Sequence, residues 1–97
     1  MAYRLSQKAD DDLVEIYIDG VREWGVSQAE KYHAELKHVF EILSGNPELA
    51  RERAEITPPV RIHPHGSHVI VYVIDDHRDV FVIRVRSSRE DWVSDPI

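Results

Sequence analysis

The sequence predicts an α+β domain of two layers: an N-terminal strand, then an antiparallel helical hairpin packed on one face of a small antiparallel β-sheet. Two successive apolar stripes at three- and four-residue steps, separated by Gly25, predict the helices. Two strand-like runs, 68–75 and 79–86, flank the turn Asp76-His77-Arg78 and predict a β-hairpin. The helices share an apolar face that needs a cover, and the sheet is the one candidate large enough. The whole chain, 1–97, is expected to form a single domain.

Residues 2–5 suit a short strand, and Ser6 can cap the helix that follows. Asp10, Asp11 and Asp12 fall near that helix's first turn, where negative charge meets the positive end of the backbone dipole. Ala9, Leu13, Ile16, Tyr17, Gly20, Val21 and Trp24 form its apolar stripe, and Gly25 ends it. Ser27 and Glu30 read as a capping box opening a second stripe of Ala29, Tyr32, Leu36, Val39, Phe40 and Leu43. Asn46-Pro47 stops this helix near Ser44 or Gly45. Residues 48–59 are polar without a clear period and read as a surface connection. Residues 60–63 alternate apolar and polar, and residues 64–67 supply turn chemistry, so that two hairpins in series make a meander. Ser87 or Ser88 can cap a short terminal helix.

Composition narrows the function classes. With no cysteine, neither a disulfide framework nor a thiolate zinc site is available, as suits a protein of the reducing cytosol. No apolar stretch reaches the roughly 20 residues of a membrane span, and a soluble cytoplasmic protein is expected. The net charge of −6 argues against a surface built to hold nucleic-acid backbones. Most of the acid excess lies in residues 1–50, and every basic residue after them is an arginine, a planar fork suited to carboxylate or phosphate.

The last strand run carries a candidate surface. Phe81, Ile83 and Val85 fall on one face and are expected in the core, whereas Val80, Val82, Arg84 and Arg86 fall on the other. With Ile74 opposite Val80, antiparallel pairing sets Tyr72 against Val82, Ile70 against Arg84 and His68 against Arg86. With His63 opposite His68, one open face gathers Arg61, His63, His68, Tyr72, Arg84 and Arg86, with Arg89 just beyond. Such residues could grip a phosphodiester and move a proton, but solvated arginines, or arginines paired with a partner's carboxylates, are the favoured reading. His63, His65 and His68 look metal-like, but Pro64 and Gly66 between them suggest turn geometry; no metal and no cofactor is expected. Tyr17, Trp24 and Tyr32 are expected in the core. Trp92, in a polar tail, is either an interface anchor or packs back onto the sheet.

Matches running nearly end to end then resemble the ParE branch of the ParE/RelE superfamily of bacterial toxins. They are Leu5-Ser6, Ala9, Asp12-Leu13, Ile16, Trp24-Gly25, Ala29, Tyr32, Leu36, Phe40, Leu43, Asn46-Pro47, Arg61, Gly66 to Ile70, Tyr72, and Ile83 to Val85. The resemblance implies a toxin of a type II toxin-antitoxin system, inhibiting DNA gyrase without chemistry of its own and held in a hetero-oligomer by a ParD-like antitoxin. Tyr72, Val80, Val82, Arg84 and Arg86 are the expected antitoxin-binding residues. Arg61, His63, His68, Arg89 and Trp92 are the expected target-binding residues. No catalytic residue, direct nucleic-acid contact or membrane association is expected. A RelE-like ribosome-dependent mRNA endoribonuclease and an inactive antitoxin-binding relative are the alternatives. Acidic charge, the absence of lysine after Lys37, and a tail with Trp92 instead of a Tyr or His-Tyr ending favour the ParE branch. Ala50 and Ser87 depart from that branch, where Gly and His are common.

Overall fold

The computed structural model describes residues 2–90. The elements run β1 (Tyr3–Leu5), α1 (Gln7–Trp24), α2 (Val26–Gly45), β2 (Glu52–Arg53), β3 (Val60–His65), β4 (His68–Ile74) and β5 (Val80–Ser87). The five strands form one sheet in the order β1-β5-β4-β3-β2. Consecutive strands from β2 onward are antiparallel, but β1 pairs with β5 in parallel, Tyr3 to Leu5 against Val80 to Val82. The sheet is therefore mixed. The helical hairpin carries the chain from β1 to β2 at the opposite edge of the sheet, and β3 and β4 bring it back to β5, so the two parallel strands are joined by the long connection they require.

Ser6 fixes the entry to α1 from three directions. Its hydroxyl oxygen accepts the Ala9 amide at 3.0 Å as the helix cap, its O–H donates to the Ile83 carbonyl at 2.6 Å, and its own amide donates to the Val82 carbonyl at 2.9 Å. One residue thus satisfies a helix end and fastens it to the central edge of β5. Gly25, at φ +89°, is the single residue between the helices. That backbone region suits glycine. The expected capping box is not formed: α2 starts at Val26 with Gly25 as its cap and no side-chain capping bond. The one-residue link draws Ser27 into the first turn, past the capping position.

The helix-facing core joins Ala9, Leu13, Leu36, Val39, Phe40 and Leu43 to Ile70, Tyr72, Val80, Val82 and Val85. At 0% exposure, Tyr72, Val80 and Val82 lie under the helices of their own chain. The expected assignment of faces is thus inverted for β5. Phe81 and Ile83 lie on the outer face, where Ile56, Val60 and Val71 form a second apolar cluster with Ile62, Val73 and Ile83 packed against it. The expected register holds for Ile74 with Val80 and Tyr72 with Val82, and then fails. A bulge leaves Ile83 without an opposite residue, so Ile70 pairs with Val85 and His68 with Ser87. One extra residue changes which side chains reach the core. This is how Val85 joins Val80 and Val82 despite its odd spacing from them. In β3, His65 pairs with His68 and His63 with Ile70, two residues from the expected register.

Trp24 is corrected as well: it closes the stripe of α1 but is 71% exposed. The stretch expected as a surface connection contributes both β2 and the buried Ile56. Its polar composition concealed them because a two-residue strand carries no period. The segment after Arg86 continues as strand to Ser87 and then turns, and the expected terminal helix otherwise lies outside the described residues.

Tyr72 has one polar atom in this core. Its hydroxyl donates to the Pro47 carbonyl at 2.8 Å and accepts the Ala50 amide at 3.4 Å. Tyr72→Phe is expected to cost about 1–2 kcal/mol, since it strands a buried carbonyl while keeping the ring. Urea denaturation of the two proteins measures the difference.

Candidate functional site

Most of the cationic and hydroxyl groups expected on an open face are occupied inside the fold. Arg84 is held by Asp12 of α1 through two parallel hydrogen bonds, Nε to Oδ2 at 2.7 Å and Nη2 to Oδ1 at 2.9 Å. The Val85 amide also donates to Asp12 Oδ2 at 2.9 Å. Both side chains are four-fifths buried or more. A fork on a carboxylate in such surroundings is among the stronger polar contacts available. Asp12 therefore does more than complement a helix dipole, and sequence reading missed this. Its signal was an arginine interrupting the apolar run of β5 while a carboxylate stood beside the apolar stripe of α1.

Arg86 is largely buried and pairs with Glu90 at 3.2 Å, while the Ser87 amide donates to the same carboxylate at 3.0 Å. These contacts hold the Glu90 carboxyl below the usual range, with the Arg86 hydrogen bond as the main cause. Arg61 donates to the Ala50 carbonyl at 2.6 Å, fastening the segment after α2 beside the Tyr72 hydroxyl. His63 lies on the helix-facing side of β3, with Nδ1 buried and lacking a hydrogen-bond partner among the described residues. Arg61, His63, Tyr72, Arg84 and Arg86 thus do not form an open grouping. Each is drawn into packing or an internal bond. Arg89 is exposed, and Trp92 lies outside the described residues.

His68 has a different setting. Its Nδ1 lies 2.6 Å from the Tyr32 hydroxyl, which also donates to the His65 carbonyl at 3.2 Å. His65 in turn reaches Glu35 at 3.4 Å. Gly66, at φ +57°, brings the β3–β4 turn against Tyr32, and a Cβ there would stand 2.8 Å from the Tyr32 hydroxyl. Burial pushes the Tyr32 phenol up and the His68 imidazole down. Among the described residues, no group of three or more His, Asp and Glu side chains is placed to hold a metal.

The outer face of the sheet offers partly covered apolar side chains. Ile62, Val73, Phe81 and Ile83 are half-buried around the Ile56, Val60 and Val71 cluster. At the β1 edge the Arg4 guanidinium lies over the Phe81 ring, its Cζ 3.9 Å from the centroid, with a side chain 61% exposed. Its Nε also lies 3.6 Å from the Asp75 carboxylate, so the guanidinium is stacked and paired while still largely facing solvent. The outer face is thus a different surface from the expected one: it is built from the opposite set of β5 side chains, and its bordering cation is Arg4 of β1 instead of Arg84 and Arg86.

Residues 3–92 match the family described as ParE toxin of type II toxin-antitoxin system, parDE. The chain belongs to the ParE toxin family. Toxin ParE1 of Mycobacterium tuberculosis (strain CDC 1551 / Oshkosh) is 37% identical over 89 residues, covering 92% of this chain and 91% of that protein. Toxin ParE1 of Caulobacter vibrioides is 34% identical over 70 residues, covering 72% of this chain and 73% of that protein. A solved structure titled as the chromosomal ParDE TA system from P. aeruginosa superposes with a TM-score of 0.76 at 19% identity, covering 90% of this chain and 95% of that one. At that identity the likeness speaks for the fold. This ParE-family toxin therefore has the α+β architecture expected for it. Its described residues contain no helix long and apolar enough to cross a membrane.

Asp12→Ala is expected to destabilise the toxin by about 2–4 kcal/mol, because it leaves a mostly buried guanidinium and the Val85 amide without their acceptor. Chemical denaturation tests this. His68 gives a pH dependence with a definite sign. Its folded pKa lies below the ordinary 6.5, so the unfolded chain binds the proton more readily. The associated stability is complete above 6.5 and is lost as pH falls through the depressed folded value. Carboxyls held low, such as Asp75 and Glu90, act in the same direction only at more acid pH. Between about pH 7.5 and about pH 5, His68→Asn should flatten the fall in thermal midpoint seen in the parent protein.

Proposed function

We propose that this ParE-family toxin acts in the cytoplasm by inhibiting DNA gyrase through protein contact, and that a ParD-like antitoxin neutralises it by direct binding in a hetero-oligomer. The observation that carries the reading beyond family membership is the internal use of Arg61, Tyr72 and Arg84. A ribonuclease working through this sheet would need those groups at a phosphate, whereas here they bond to Ala50, Pro47 and Asp12. Protein contact makes no such demand. Arg89 and Trp92 remain the tail residues assigned to the target.

The antitoxin is assigned to the outer sheet face. Ile62, Val73, Phe81 and Ile83 give apolar anchors, and Arg4 gives an exposed charge for an acidic group. An antitoxin segment that orders on binding would cover these side chains and meet Arg4 at the rim.

Two measurements test the proposal. Purified toxin should block gyrase supercoiling in vitro at micromolar concentration and cause DNA-damage filamentation on expression. Inert protein, or rapid translation arrest with supercoiling untouched, would overturn the gyrase reading. Arg4→Glu combined with Ile83→Lys should weaken antitoxin binding about tenfold or more in calorimetry, given the usual weight of central anchors. Equal affinity, with thermal unfolding showing both proteins folded, would remove this face from the interface.

A further inference from the structure

A second surface lies on the other layer of the molecule, where the linked ends of α1 and α2 approach the β3–β4 turn. There Ile16, Gly20 and Ala29 line a groove of about 490 Å³, with Tyr32, Ser67 and His68 along the turn side. Gly20 makes this approach of the helices possible, since a Cβ in its place would come within 3.2 Å of the Ala29 Cβ. The remaining lining includes Asp19, Glu23 and Trp24. Asp19 and Glu23 are one helical turn apart and present two carboxylates to the same opening. Trp24 adds an indole that is 71% exposed. An aromatic of this size left in water beside two carboxylates and an apolar floor needs a physical account.

The three features have one complement. The apolar floor suits a methylene stem, the carboxylates suit a positive head, and the indole face attracts a cation. An anion would meet Asp19 and Glu23 unfavourably, in a chain of net charge −6. A purely apolar group would use the floor alone and gain nothing from the two carboxylates. A planar guanidinium can stack on the indole while its edge bonds to carboxylate, which a compact ammonium does less well. Asp19 lies 4.0 Å from Arg22, but those side chains are 73% and 76% exposed. A pair so open contributes little and yields readily to a competing cation.

We infer that this groove, walled by Trp24, Asp19 and Glu23, is a docking site for an arginine side chain presented by a partner polypeptide. It lies on the helix side of the sheet, away from the outer face assigned to the antitoxin. The toxin can therefore be held at this groove while it is neutralised, and the inference does not depend on gyrase being the target.

The test uses the full chain carrying Trp92→Phe, so that Trp24 is the one indole reporting fluorescence. The probes are three capped pentapeptides with arginine, its neutral isostere citrulline, or lysine at the centre of a glycine sequence. The arginine peptide should give a saturable change in Trp24 emission, and the citrulline and lysine peptides should bind several-fold more weakly. Asp19→Asn with Glu23→Gln should weaken arginine binding about fivefold to tenfold, as expected from losing exposed ion pairs while the indole remains. Binding should persist when the outer face is occupied by antitoxin. Equal response to arginine and citrulline, or no saturation at millimolar peptide, would overturn the site. An equally tight lysine peptide would overturn its assignment to a guanidinium, and loss of binding in the antitoxin complex would overturn the separation of the two surfaces. Circular dichroism of the double variant confirms that it is folded, so weakened binding reports the groove.

Discussion

The contact of Asp12 with Arg84 and the Val85 amide is the constraint on which the arrangement of this toxin depends. It ties the second turn of α1 to β5 just past the bulge at Ile83, where one extra residue has altered the facing of the strand. Without that bulge, the residue at position 85 would face outward by strict alternation from Val80 and Val82. With it, Val85 enters the helix-facing core, and Arg84 is brought to a carboxylate that α1 already holds in place. Packing and ion pairing thus enforce the same register. An alternative pairing would remove Val85 from the core and part the fork from its carboxylate.

Ser6 performs a related task at the other end of the contact. It caps α1, bonds to the Val82 and Ile83 carbonyls, and extends the parallel β1 pairing into the helix. The helix is therefore positioned over β5 before its apolar stripe is counted. At the far end of the hairpin the single-residue link at Gly25 leaves little freedom between α1 and α2, so the groove beside Trp24 is bounded by two helices whose relative placement is already set. On the sheet side, Gly66 allows the β3–β4 turn to reach Tyr32 and close that groove. Rigid elements thus surround a solvent-facing indole.

Much of this was legible from residue patterns. Ser6, Gly25 and Asn46-Pro47 mark helix boundaries by local chemistry, and the long apolar run of β4 reads as a covered strand because either face can be buried. β5 was harder for the same physical reason. Both of its faces carry aliphatic side chains, so alternation could not say which one meets the helices, and no local residue announced the bulge. The inverted choice placed Tyr72, Val80 and Val82 on an open face when they are the center of the core. Arg84 and Asp12 are 72 positions apart, and their pairing is a product of topology rather than of any local motif. The parallel β1 pairing was unreadable in the same way, since three residues specify neither partner nor direction.

Burial of those arginines also changes what the surface can do. A guanidinium already bonded to a carboxylate in a dry setting would have to lose that partner before gripping a phosphate, and breaking such a pair costs several kcal/mol. Apolar side chains half-covered by their own chain carry no comparable penalty: a partner that completes their burial gains from each area it removes from water. Arg4 combines the two cases: it is stacked on Phe81 and lies 3.6 Å from the Asp75 carboxylate, yet its side chain is largely open to solvent, so it can share its charge with a further acidic group at little cost. The same comparison separates Arg84 from Trp24 on the helix side. Groups whose interactions are already satisfied internally hold the toxin together, and those left half-satisfied at its two faces are where other polypeptides can gain most by binding.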